Sequence, residues 1–336
     1  MAYVIITFLF LSILLYVVLG GADFGAGIIE LFTSEKNKSR TRKTLYHAIG
    51  PIWEANHMWL IIAIVILFVA FPTIYAEMSI YLHIPLIIML IGIIARGTAF
   101  VFRHYDAVKD NMQLVYNRIY VLSSFITPLF LGIIAGSLIS GHINHKASTF
   151  SEAYIDGWLN WFSFGVGLFV VALCGFLASI YLIGEAESND DRNRFINKAK
   201  HMNLAAVISG ALVFIASFLD QIPLIHWIFG NPIGLTAVIA ATFSLGLLWY
   251  LIGKGKSFII RPLAAFQVTM IMLAMGYAHY PDFIIVKNGA NLSLFDHLAP
   301  PKTLAALGWA LLLGSVFILP ALYYLYASFN KSLVEE

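Results

Sequence analysis

One cysteine, Cys174, stands in the 336 residues of this chain. That excludes an internal disulfide and any metal cluster built on several thiolates, and its apolar surroundings suit a small packing residue. Charge is equally scarce: 11% of residues are Asp, Glu, Lys or Arg, against about 25% in soluble domains. No Walker or dinucleotide-binding fingerprint occurs, because the glycine-rich stretch Gly20 to Gly27 lies inside an apolar run and follows no strand. No loop is long enough to form a folded module outside a membrane. Soluble enzymes and nucleic-acid-binding proteins are therefore poor matches.

Apolar length is what the chain has in abundance. Hydrophobic residues make up 60% of it, the mean hydropathy is +0.85, and several runs exceed the roughly 18 residues that mark a membrane-spanning helix. The pattern predicts an all-α integral membrane protein, a single membrane domain over 1–336, with about nine transmembrane helices. They fall at roughly 3–32, 54–74, 79–102, 117–141, 158–184, 198–219, 233–252, 258–280 and 303–328. The first run follows Met1 with no basic stretch and no small-residue cleavage site, so it reads as a retained helix and not a signal peptide.

Basic residues set the expected orientation. Lys36, Lys38, Arg40, Arg42 and Lys43 follow span 1, and Arg103, Lys109 and Arg118 follow span 3. Arg192, Arg194, Lys198 and Lys200 follow span 5, Lys254, Lys256 and Arg261 follow span 7, and Lys331 lies in the tail. The other loops hold only Lys146, Lys287 and Lys302, so sixteen basic residues face three. The positive-inside rule then predicts the N-terminus outside and the C-terminus cytoplasmic. Trp158, Trp161, Trp227 and Tyr280 stand at the outer ends, where aromatic anchors belong.

Two carboxylates occupy expensive positions. Asp23 lies in Gly20-Gly21-Ala22-Asp23-Phe24-Gly25-Ala26-Gly27, and Glu54 in Pro51-Ile52-Trp53-Glu54-Ala55-Asn56-His57-Met58-Trp59. A charge near the bilayer centre costs about 2.5–3.5 kcal/mol on insertion scales, and such residues usually move protons, ions or substrates. Glu30 lies two helical turns beyond Asp23 on nearly the same face, and Arg96 lies seven residues before Arg103, about 10 Å inward from the same side. With Asn56 and His57 these groups gather in the cytoplasmic half of the first three helices. The functional reading is a proton entry from the cytoplasm with Asp23 and Glu54 as exchangeable carboxylates. The bland readings are an ion pair of Arg96 with Asp23 or Glu54, and for Glu54 a favourable acid in the first turn after Pro51. The glycines serve close helix packing. Of ten histidines only His57 is expected to be buried, and no span carries two at i, i+3 or i+4. A metal centre wants several convergent ligands, so this chain alone is expected to bind none. Asp220 and Glu185, at span ends, read as solvated or capping.

The two acidic motifs, with Leu60-Ile61, Phe71-Pro72, Tyr75-Ala76, Arg96-Gly97, Phe100 and Arg103, resemble subunit II of cytochrome bd-type quinol oxidases. The motif words are concentrated in residues 20–103, and the second half matches by topology. The resemblance implies a subunit of a bacterial terminal oxidase that oxidises a membrane quinol and reduces dioxygen to water without pumping protons. It implies that two b-type haems, one d-type haem and the quinol-oxidising loop belong to a larger partner, subunit I, in a pseudosymmetric heterodimer in the cell membrane. The implied fold is two four-helix units, 1–141 and 158–280, plus a peripheral helix at 303–328. Asp23 and Glu54 take the place of the family's acidic pair, with Trp53, Asn56, His57, Trp59 and Arg96 as supporting residues. Many members have aspartate where this chain has Glu54, which moves the carboxyl by about a bond length. Small additional single-span subunits are left open.

A different class, a proton-coupled secondary transporter using Asp23, Glu54 and Arg96, also suits buried charges. The second half lacks counterparts of these residues, which argues against a two-fold transport site. A third reading is an assembly subunit with no proton role.

Overall fold

The computed structural model describes residues 1–50, 52–105, 112–254 and 256–332. Pro51 of the second motif and Lys109 of the basic set lie outside the described residues. Among those described, nine helices are long and apolar enough to cross a membrane. They are span 1 (Ala2–Leu31), span 2 (Trp53–Ala70), span 3 (His83–Arg103), span 4 (Met112–Ser140) and span 5 (Trp161–Gly184). Span 6 (Asn189–Leu219), span 7 (Pro232–Ile252), span 8 (Ser257–His279) and span 9 (Pro301–Leu325) complete the set.

Several ends differ from the expected ones for physical reasons. Span 2 stops at Ala70 because Pro72 opens a separate short helix, Pro72–Tyr81, at the position where a missing N–H costs nothing. Span 6 starts nine residues earlier than hydropathy suggests. Ser188 caps it by accepting from the Asp191 N–H at 3.1 Å, and Asp190 and Asp191 stand in its first turn. Hydropathy registers where a helix meets lipid, whereas the helix itself continues into the polar region. The basic segment after span 1 is also helical, Glu35–Ile49, with Thr41, Leu45 and Ile49 buried at a spacing of four.

Span 1 is not uniform. An α-helical part, Ala2–Leu15, passes into a π-helical turn, Tyr16–Gly20, and then into Gly21–Leu31, which carries Asp23. Such turns shift the face of a helix and are frequent at functional sites.

Span 5 is the most enclosed of the nine and packs on spans 1, 4, 6 and 8. Its contact with span 1 is close enough that a Cβ on Gly25 would lie 1.9 Å from the Cys174 carbonyl oxygen. A Cβ on Gly132 of span 4 would lie 2.7 Å from the Gly167 Cα. Cys174 itself is buried and free. Span 3 packs on span 4, span 7 on span 8, and span 2 on the first part of span 1. Span 9, the least enclosed, rests on spans 1 and 2.

At the end away from the basic helix, a short antiparallel pair, Asp282–Ile284 with Leu292–Ser293, sits in a loop tied to the spans. Main-chain bonds from Ile285 N to Leu138 O at 2.8 Å and from Ala299 N to Ala70 O at 2.9 Å hold it there. At the same end Asp220 accepts from the Phe162 N–H at 2.8 Å and so caps the start of span 5.

Candidate functional site: a buried carboxylate between spans 1, 2 and 3

Asp23 is 1% exposed. Its burial follows from the glycines around it: Gly25 admits span 5, and a Cβ on Gly27 would meet the Ser124 hydroxyl of span 4 at 2.2 Å. Asn56 of span 2 donates to the carboxylate Oδ2 at 2.9 Å. Arg96 of span 3, also 1% exposed, meets the same residue at its main chain, donating from Nη2 to the Asp23 carbonyl at 2.7 Å. The Nη1 of Arg96 lies 3.3 Å from His57 Nε2. The guanidinium rests over the Phe24 ring at 5.0 Å and the Tyr120 ring at 5.6 Å, aromatic faces that favour a cation in a dry site. The carboxylate is thus engaged by a neutral amide while the arginine is directed at the helix backbone.

The structure brings Asp23, Asn56, His57 and Arg96 together and leaves Glu54 apart. Glu54 occupies the first turn of span 2 and is exposed. Asn56 lies two positions on, about 200° of helical rotation, so the residue that reaches Asp23 and the residue that carries the second acid face opposite ways. Trp53 packs beside Phe100, ring centroids 5.4 Å apart, and over Gly97. Trp59 is buried in one cluster with Tyr16, Phe24 and Cys174.

Glu30, which the sequence places near Asp23 with no assigned partner, has its partners in the structure. It is fully buried and pairs with two arginines: Arg42 Nε at 2.6 Å and Arg103 Nη1 at 2.8 Å. Arg103 also lies over the Tyr120 ring at 4.2 Å. A signal was available. Glu30 follows Asp23 by seven residues and Arg103 follows Arg96 by seven, so two parallel helices present acid and arginine at two successive levels.

Further contacts gather the basic end. The Lys198 ammonium donates to the carbonyls of Ile29 and Phe32, each at 3.2 Å, and to the Thr33 hydroxyl at 2.7 Å. It thereby closes the C-terminus of span 1, where carbonyls lack helical partners. Asp191 joins Arg40 at 2.6 Å and Arg194 at 3.2 Å, and Glu185 joins Arg261 at 2.6 Å.

The donor set of this site does not fit a haem iron. His57 turns Nε2 toward a guanidinium, a position that an iron ligand has to vacate. Among the described residues no group of three or more His, Cys, Asp or Glu side chains is arranged to hold a metal ion.

Nine apolar helices among the described residues, enclosing paired acids and arginines, define a multi-pass membrane protein. Its sequence matches the family described as cytochrome bd terminal oxidase subunit II over residues 1–329, and the chain belongs to that family. Cytochrome bd ubiquinol oxidase subunit 2 of Bacillus subtilis (strain 168) is 31% identical over 202 residues, 59% of this chain and 57% of that protein. Cytochrome bd-I ubiquinol oxidase subunit 2 of Escherichia coli (strain K12) is 27% identical over 126 residues, 38% of this chain and 32% of that protein. The aligned segments therefore span less than two thirds of these relatives. The fold is that of a chain in the structure of bd oxidase from Geobacillus thermodenitrificans, with a TM-score of 0.78 at 20% identity and 98% of both chains covered.

Proposed function

We propose that this chain is the haem-free subunit of a cytochrome bd-type quinol oxidase, scaffolding a haem-bearing subunit I and delivering cytoplasmic protons to it. The b- and d-type haems of that partner supply electron transfer from quinol and the reduction of dioxygen. The family supports the assignment to the complex. The sixteen basic residues gathered in alternate loops support the N-terminus outside and the C-terminus in the cytoplasm. In this reading residues 1–141 form the working four-helix unit, 158–280 the second unit and 303–328 a peripheral helix.

One observation carries the proton role: the Asp23 carboxylate is buried and held by the neutral Asn56, while Arg96 is occupied by the Asp23 carbonyl. An acid gripped by a guanidinium stays committed to its ion pair, whereas an acid held by an amide keeps the capacity to take and release a proton. The ion-pair role falls instead to Glu30, with Arg42 and Arg103. Glu54, exposed at the boundary, is the collecting end, and Asp23 the inner acid.

Affinity purification of the tagged chain from its native membrane tests the assignment. The expected result is a complex with a larger membrane subunit whose absorbance spectrum contains b- and d-type haem. Isolation as a functional, haem-free unit, with substrate-driven pH changes in proteoliposomes, would overturn it in favour of a transporter.

A further inference from the structure

Span 1 places a tyrosine where the polar track from the basic end stops. Tyr16 opens the π-helical turn seven residues before Asp23, about 10 Å farther from the basic end. It is 3% exposed, and its hydroxyl has no hydrogen-bond partner among the described residues. Beyond it span 1 buries Leu9, Ile6 and Ile5, and Ser12 returns its hydroxyl to its own helix at Phe8 O.

His57 stands beside this tyrosine, ring centroids 6.0 Å apart. Arginine can only donate, so the 3.3 Å contact from Arg96 makes His57 Nε2 the acceptor and leaves the ring proton on Nδ1. That Nδ1–H is buried and also without a partner among the described residues. Phe24 closes the space on one side, 6.1 Å from the Tyr16 ring and 5.6 Å from the His57 ring. A buried hydroxyl and a buried N–H on neighbouring rings are the kind of groups an internal water satisfies, two of the two to four partners it requires. Leaving both without a partner would cost the full desolvation of each group.

We infer that Tyr16 and His57 together bind an ordered water molecule beside Asp23, and that this water is the inner station of the proton route. The inference rests on the proton-entry reading of Asp23. In the transfer the water accepts the Asp23 carboxyl proton and releases one of its own toward the partner subunit, so that Tyr16 and His57 keep their protons throughout. They are positioning residues. Since the Ser12 and Thr7 hydroxyls beyond Tyr16 are taken up by their own helix and the other buried residues there are apolar, the proton leaves the chain sideways at this level.

The complex carrying Tyr16→Phe, His57→Leu, His57→Gln or Asp23→Asn tests this. Tyr16→Phe and His57→Leu are expected to slow oxygen consumption about three- to tenfold, the effect of one lost hydrogen bond. They should also enlarge the solvent deuterium isotope effect at unchanged haem content. His57→Gln, which keeps an N–H, should restore most of the rate. In infrared difference spectra the carboxyl band that Asp23→Asn removes should shift in Tyr16→Phe. Wild-type turnover and an unmoved band in Tyr16→Phe and His57→Leu would overturn the inference and leave the role of Asp23 standing. Haem loss in Tyr16→Phe, which removes one oxygen atom, would assign the hydroxyl a structural role and also overturn it. Full turnover in Asp23→Asn would overturn the underlying reading itself.

Discussion

Replacing Glu30 by glutamine keeps the shape of the side chain and removes the one negative charge between Arg42 and Arg103. The two arginines respond differently. The Arg42 side chain is 33% exposed and can turn toward water, whereas the Arg103 side chain is 4% exposed and cannot. The cost is therefore that of a single stranded guanidinium, about 3–5 kcal/mol for a broken buried pair. The Tyr120 face under Arg103, at 4.2 Å, offsets about 0.5–2 kcal/mol of it. A net loss of about 1–4.5 kcal/mol remains, enough to shorten the life of the folded complex by about fivefold or more. Thermal inactivation of the detergent-purified complex at fixed temperature, followed by haem absorbance, measures it. A second substitution, Arg103→Met, removes the stranded charge and should recover much of the loss; with Arg103→Met alone it completes the cycle that gives the coupling energy. Equal half-lives for Glu30→Gln and the parent, or a double variant no more stable than Glu30→Gln, would refute the reasoning.

Three other outcomes follow from the same contacts. Gly25→Ala places a methyl group 1.9 Å from the Cys174 carbonyl oxygen, so spans 1 and 5 must part. The overpacking, about 1–3 kcal/mol or more, should appear as lower assembled yield and a lower Tm. Lys198→Met removes the donors that close span 1, and amide exchange at Phe32 and Thr33 should accelerate by about tenfold or more, as expected for lost charged hydrogen bonds. Glu54→Gln changes an exposed residue, so stability should stay within about 0.5 kcal/mol while oxygen consumption falls.

Span number and the neighbourhood of the polar residues were legible because a membrane demands long apolar runs, and charges inside them stand out. What escaped was set by registers that hydropathy does not encode. The π-helical turn at Tyr16–Gly20 has no composition signal, since its residues are ordinary for an apolar span. The basic segment after span 1 read as a loop, although Thr41, Leu45 and Ile49 at a spacing of four already mark a helix with one buried face. Glu54 was read beside Asp23 because both lie near one boundary. The helical phase separates them, as Asn56 reaches Asp23 while Glu54 faces away. The partner of Arg96 was not legible at all: a guanidinium bound to a backbone carbonyl leaves no trace in residue types. Glu30, read only as a companion of Asp23, turned out to be the acid that the arginines hold.

The most direct test of the central claim is oxygen consumption by the complex carrying Asp23→Asn, with haem content and subunit composition measured on the same preparation. A buried carboxyl that passes protons is irreplaceable by an amide of the same shape. The account therefore predicts turnover reduced by about 100-fold, the scale of a lost proton-transfer group, with haem content and both subunits retained. Wild-type turnover at full haem content would contradict it, and loss of haem or of the partner would show Asp23 to be structural.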